Sequence, residues 1–155
     1  MSKPGKQLEH IPDPLDLLKI SHGLLNDGGI ISIVVPNDFN PIQKALTEKL
    51  GFSQWWVSPL HHINYFNMKS LTDLLSQAGY KILHTTTTFP IDMFLLMGEN
   101  YVGNDVTGRS VHSRRKTLEL NMAKAGATDL RLAWYKSMSD LGMGRELLVY
   151  ARKSL

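Results

Sequence analysis

A chain of 155 residues with 43% apolar side chains has enough hydrophobic mass for one globular core and too little for two comfortable domains. Its 17 basic residues stand against 14 acidic ones, and the resulting formal charge of +3 exerts little pull on polyanions, so no nucleic-acid partner is expected. The absence of cysteine excludes disulfides, thiolate nucleophiles and thiolate metal sites; no run approaches the ~20 apolar residues of a membrane helix, and MSKPGKQ has no apolar centre of the secretory kind, so no membrane contact and a cytoplasmic setting are expected.

Asp13 before Pro14 has the pattern of an N-cap and a first helical residue. Leu17, Leu18, Leu24 and Leu25 recur at helical spacing, and Gly28-Gly29 stand where a left-handed cap would close the last turn, which predicts a helix over 14–26. IISIVV at 30–35 is a continuous β-branched run between Gly and Pro, the pattern of a strand covered on both faces, and is read as the centre of a sheet. Asn40-Pro41 repeats the cap signal, Ile42, Ala45, Leu46 and Leu50 form an apolar stripe, and Gly51 ends a second helix. FSQWWVSPLHHINYF at 52–66 has no period and reads as an aromatic loop, a kind of segment that often covers a site. A third helix is expected from Asn67 to Ala78, a strand over 80–89, helices near 108–125 and 128–141 ended by Gly126 and Gly142, and a closing strand over 145–153.

Taken in order from Gln7 onward, LEHIPDPLDLL, LLNDGGIISIVVPN, HHINYFNMKSLTDLLSQAGYKI and GRELLVYARK resemble the C-terminal half of a class I S-adenosylmethionine-dependent methyltransferase. The nearest likeness is to the small-molecule branch that includes ubiquinone-biosynthesis enzymes, where E-H-[IVL]-P-D-P follows the fourth strand and L-x-P-G-G precedes the fifth. Here Asn26-Asp27 replace Lys-Pro and the glycine pair is kept. The resemblance implies an α/β fold: a truncated Rossmann-like methyltransferase sheet of strands 5, 7 and 6 with flanking helices, out of a family order 3-2-1-4-5-7-6 whose last strand is antiparallel. Residues 1–12 are then the remnant of the turn after strand 4, and 13–155 the rest, with an inserted aromatic loop at 52–66 and a helical lid at 91–141.

In the family, an E-x-G-x-G loop and an acidic residue ending strand 2 hold the donor. Neither has a counterpart upstream of Leu8, and MSKPGKQ is too short for four strands and their crossovers. The isolated chain is therefore expected to be inactive and not to bind S-adenosylmethionine by itself. Strand 30–35 should offer an open edge either to a second copy, rebuilding a sheet edge to edge in a homodimer, or to a separate chain carrying the N-terminal half. A non-catalytic assembly or regulatory module derived from a methyltransferase is the alternative function.

For the site, the resemblance places Glu9 and His10 in the turn that approaches the cofactor; in the isolated chain they read instead as a solvated tail. His10, His61 and His62 are the nominees for a catalytic base that takes the acceptor's proton. Trp55, Trp56, Asn64 and Phe66 are expected to line the pocket of an unknown small-molecule acceptor. His61 and His62 point in different directions with no further histidine at ligand spacing, so no metal is expected. The run from Gly103 to Ser110 nearly matches a phosphate loop, but Arg109 replaces the lysine and no clear strand precedes it, which favours a loop and a helix start. Arg114, Arg115 and Lys116 with Glu119 read as a salt-paired, solvated helix face.

Overall fold

Three strands, β1 (Ile30–Pro36), β2 (Tyr80–Thr87) and β3 (Glu146–Lys153), form one sheet in the order β1-β3-β2, with β3 antiparallel to both neighbours. The computed structural model describes residues 8–154, so the reading of residues 1–7 lies outside the described residues. A 3-10 turn (Leu8–His10) opens the described chain. The helices are α1 (Pro14–Leu24), α2 (Pro41–Leu50), α3 (Met68–Gln77), α4 (Met93–Leu96), α5 (Asp105–Lys124) and α6 (Thr128–Asp140).

The caps explain where the helices begin. The Asp13 carboxylate accepts from the Asp16 N–H, Asn67 accepts from Ser70, and Asn40 forms a capping box with Gln43. Their ends are less regular. The first helix stops at Leu24, where Leu25 turns extended, and Gly28, at φ 72°, serves the turn into β1 rather than closing the helix. Helix α5 starts at Asp105, capped by Asn104, so Gly108 to Ser110 are already helical and form no phosphate loop. Arg115 pairs with Glu119 across one turn at 2.9 Å, while Arg114 reaches Glu99 on another segment.

The expectation that 30–35 is the sheet centre is not met. Strand β1 lies at an edge, with β3 between it and β2. A β-branched run reports coverage above and below a strand and carries no information about its lateral neighbours. Coverage is itself partial, since Ile30 is 54% exposed and Val35 is fully buried.

One face of the sheet carries the main core. Leu147, Val149 and Ala151 of β3 and Val35 of β1 pack with Leu18 of α1 and Leu71 and Leu75 of α3. At β2 the register slips between Ile82 and His84, so that Ile82 before it and Thr85 and Thr87 after it pair opposite the inward residues Ala151, Val149 and Leu147 of β3. The extra residue, Leu83, is the bulge that makes both halves face inward. Helix α6 lies against β2, and a second cluster of Phe89, Ile91, Phe94, Val111, Tyr135 and Met138 joins the 89–95 segment to α5 and α6.

Candidate active site

A polar cavity of about 350 Å³ opens where β1 ends, the end of a strand at which open α/β sheets place their ligands. Pro36, Asn37 and Asp38, at the start of the turn that runs to Asn40, line one side of it. The Asn37 backbone N–H donates to the Arg145 carbonyl at 2.9 Å, and its side-chain amide donates to the carbonyls of Gly142 and Gly144 at 2.9 and 3.0 Å. The Asp38 N–H donates to the Phe66 carbonyl at 2.9 Å. Phe39 takes a left-handed conformation, φ 54°, which costs a non-glycine residue about 1–3 kcal/mol. Its ring is held edge-on by Trp56 and Tyr65 at 5.6 and 5.8 Å, contacts that offset the strain.

This turn aims the Asp38 carboxylate into the cavity. Asp38 is 4% exposed, and its Oδ2 has no hydrogen-bond partner among the described residues. Burial first, and then the carboxylates of Glu9 and Asp92, push its pKa up to about 6 against the opposing Phe66 backbone hydrogen bond. Across the cavity the Tyr101 hydroxyl donates to the Asp92 carboxylate. Burial raises the pKa of both groups, while Arg145 pulls in the opposite direction on each.

The third wall comes from the 3-10 turn and the loop that covers it. The Asn64 amide donates to the Leu8 and Ile11 carbonyls at 3.0 and 2.6 Å, and the N–H groups of Ile63 and Asn64 both donate to the Glu9 carbonyl. This clamp buries Glu9 to 1% exposure, which corrects the expectation of a solvated tail at that residue, while His10 stays exposed. It also brings His62 edge-on to His10, with ring centroids 4.9 Å apart, in the cavity that the crossed pair Trp55 and Trp56 also lines. Asn64→Ala removes a donor from two carbonyls at once and is expected to cost about 1–3 kcal/mol in urea denaturation. A loss below about 0.5 kcal/mol would mean that the backbone bonds alone hold the clamp.

Of the residues singled out by sequence, Glu9, His10, Trp55, Trp56 and His62 line the cavity. His61 is exposed and contributes its carbonyl, which accepts from His10 Nδ1; Asn64 is the clamp; Phe66 is buried in the main core. Sequence reading passed over Asp38, Asp92, Tyr101 and Arg145. For Asp38 a signal existed, because PND directly follows a strand and precedes a helix cap.

A family model described as a methyltransferase domain matches residues 6–85, just over half of the chain. The chain belongs to the methyltransferase-domain family. The match takes in Glu9, His10, Asp38 and the aromatic loop, while β3 and the helices from α4 onward lie outside it. Among solved structures, the chain is similar to a putative sarcosine dimethylglycine methyltransferase from Galdieria sulphuraria at 16% identity and a TM-score of 0.47. The alignment covers 97% of this chain and 51% of that one, so this methyltransferase-domain chain spans about half the length of that structure. No curated protein matches the sequence. Among the described residues, no helix is long and apolar enough to cross a membrane.

Proposed function

We propose that the chain takes part in methyl transfer from S-adenosylmethionine to a small polar acceptor, with the cavity at the end of β1 as the acceptor site and Asp38 as the base. The observation that carries this reading is a buried, unpartnered aspartate at a strand end in a chain of this family. The E-H-I-P-D-P resemblance supports a small-molecule acceptor, and a cytoplasmic setting belongs to the same proposal.

S-adenosylmethionine, which the family generally uses, supplies an electrophilic methyl group on a cationic sulfonium. The carboxylates of Asp38 and Asp92 and the rings of Trp55 and Trp56 suit a cation in the cavity. The described residues form no glycine-rich turn after a strand that would hold the remainder of the donor, so they fit one end of it. When the acceptor's N–H or O–H proton leaves, Asp38 Oδ2 receives it; at neutral pH a carboxyl with a pKa of about 6 is mostly ionised and still basic enough for the task. The Asn37–Asn40 turn holds that oxygen in place, and the Trp55–Trp56 ridge limits water.

Strand β1 bonds only to β3 among the described residues. Its second edge can take a strand from another copy in a homodimer, or from a separate chain that carries a donor-binding half. Sedimentation tests the first of these: a dimer at micromolar concentration supports self-pairing, and a stable monomer counts against it. The function is tested by incubating the purified protein, alone and together with a donor-binding methyltransferase half, with tritium-methyl donor and a small-metabolite extract. Label in an acceptor, lost in Asp38→Asn, is the expected result; absence of both donor binding and transfer would favour a non-catalytic assembly role.

A further inference from the structure

The cavity holds a set of groups that proton transfer to Asp38 leaves unused. Glu9 is almost wholly buried, and its Oε2 has no hydrogen-bond partner among the described residues; the same is true of the buried His62 Nδ1. A carboxyl group buried like this is neutralised by a proton or by a cation beside it, and a cation needs further ligands close by. His10 makes no hydrogen bond to this group, since its Nε2 stands 3.6 Å from Glu9 Oε1. The orientation of that ring is telling. His10 Nδ1 donates to the His61 carbonyl, which turns the ring so that Nε2 faces the Glu9 carboxylate. A backbone carbonyl that holds one imidazole nitrogen while the other is turned toward a second potential ligand is the outer-shell arrangement of metal-binding histidines.

One donor atom from each of Glu9, His10 and His62 lies within 4.8 Å of the other two. We propose that these three side chains bind a divalent transition-metal ion of the zinc class. Two imidazoles with one carboxylate select such an ion over magnesium or calcium, which prefer all-oxygen shells. Tetrahedral zinc with bonds of about 2.0–2.1 Å sets its donors about 3.3 Å apart, so the set must draw in by up to about 1.5 Å. His10 can make that move, because its side chain is 43% exposed. Three protein ligands leave a coordination position open to the cavity, suited to water or to an acceptor oxygen. That role for the ion rests on the methyl-transfer reading, whereas binding of the ion does not.

The test is calorimetric titration of the metal-free protein with zinc, paired with the visible spectrum of the cobalt form. We expect one ion per chain with micromolar affinity, a tetrahedral cobalt spectrum, and at least thirtyfold weaker binding in Glu9→Gln, His62→Ala and His10→Ala. His10→Ala keeps the comparison valid if a buried variant fails to fold. His84→Ala, on β2 away from the cavity, should bind as the parent does. Absence of saturable binding, or equal affinity in parent and His10→Ala, overturns the proposal. Asp38→Asn should retain the ion, so a protein that binds zinc and transfers no methyl group would leave the metal site standing and remove the proposed reaction.

Discussion

Asp38→Asn is expected to lower methyl transfer by about 10²–10⁴-fold, the range a positioned general base supplies. The substitution keeps the shape of the side chain and removes its ability to take a proton, so acceptor binding should change far less than turnover. In the parent protein the rate should fall as pH drops below about 6, when the carboxyl becomes protonated, and that limb of the profile should be missing in the variant. A variant within threefold of the parent would take Asp38 out of the chemistry and return attention to His10 and His62.

The same change should make the protein more stable at pH 7.5. The folded-state pKa of Asp38 is raised from 3.8 to about 6, so folding favours the protonated form. The ionised group then opposes folding above pH 6, and this cost fades as pH falls toward 4. A rise of that size corresponds to about 3 kcal/mol, which water in the open cavity reduces to about 1–2 kcal/mol. Asp38→Asn should gain about that much at pH 7.5 and nothing at pH 4, as read from urea midpoints. A residue whose removal slows the reaction while steadying the fold is kept for its chemistry.

The parts of this fold that were legible in the sequence depend on neighbours close in the chain. Asp13, Asn40 and Asn67 each cap the helix they immediately precede, and Gly51, Gly126 and Gly142 take the left-handed backbone their positions demanded. The lateral place of β1 was hidden because its apolar run is set by the faces above and below it. The site was hidden for another reason. Asp38 gains its character from a turn fixed by Phe66, Arg145 and Gly144, and His10 meets His62 through a clamp made by Asn64. Those partners lie far apart in the chain, where neither periodicity nor motif spacing reports contact. The aromatic loop was recognised as a cover, but what it covers, the carboxylate of Glu9, becomes apparent only once the loop is folded.

Gly144→Ala is expected to destabilise the protein by about 3 kcal/mol or more, the largest stability loss of the substitutions considered. Gly144 sits at φ 110°, and an added Cβ would fall 1.7 Å from Thr87 Oγ1 and 2.6 Å from both Thr87 Cβ and Cγ2. Rotating the threonine does not relieve a clash with its own Cβ, and its hydroxyl is already donated to the Glu146 carbonyl at 2.7 Å. The backbone between α6 and β3 must therefore move. Because the Gly144 carbonyl accepts from Asn37, the shift passes into the turn that aims Asp38, and turnover should fall along with stability. Gly98→Ala provides the contrast: Gly98 has φ 87° but nothing within 4 Å of an added Cβ, so only backbone strain of about 1 kcal/mol applies. Equal losses at the two positions in urea denaturation would show that the left-handed conformation alone matters. A threefold difference would instead assign the cost to the approach of Gly144 to β2, and with it the tie between the end of β3 and the cavity.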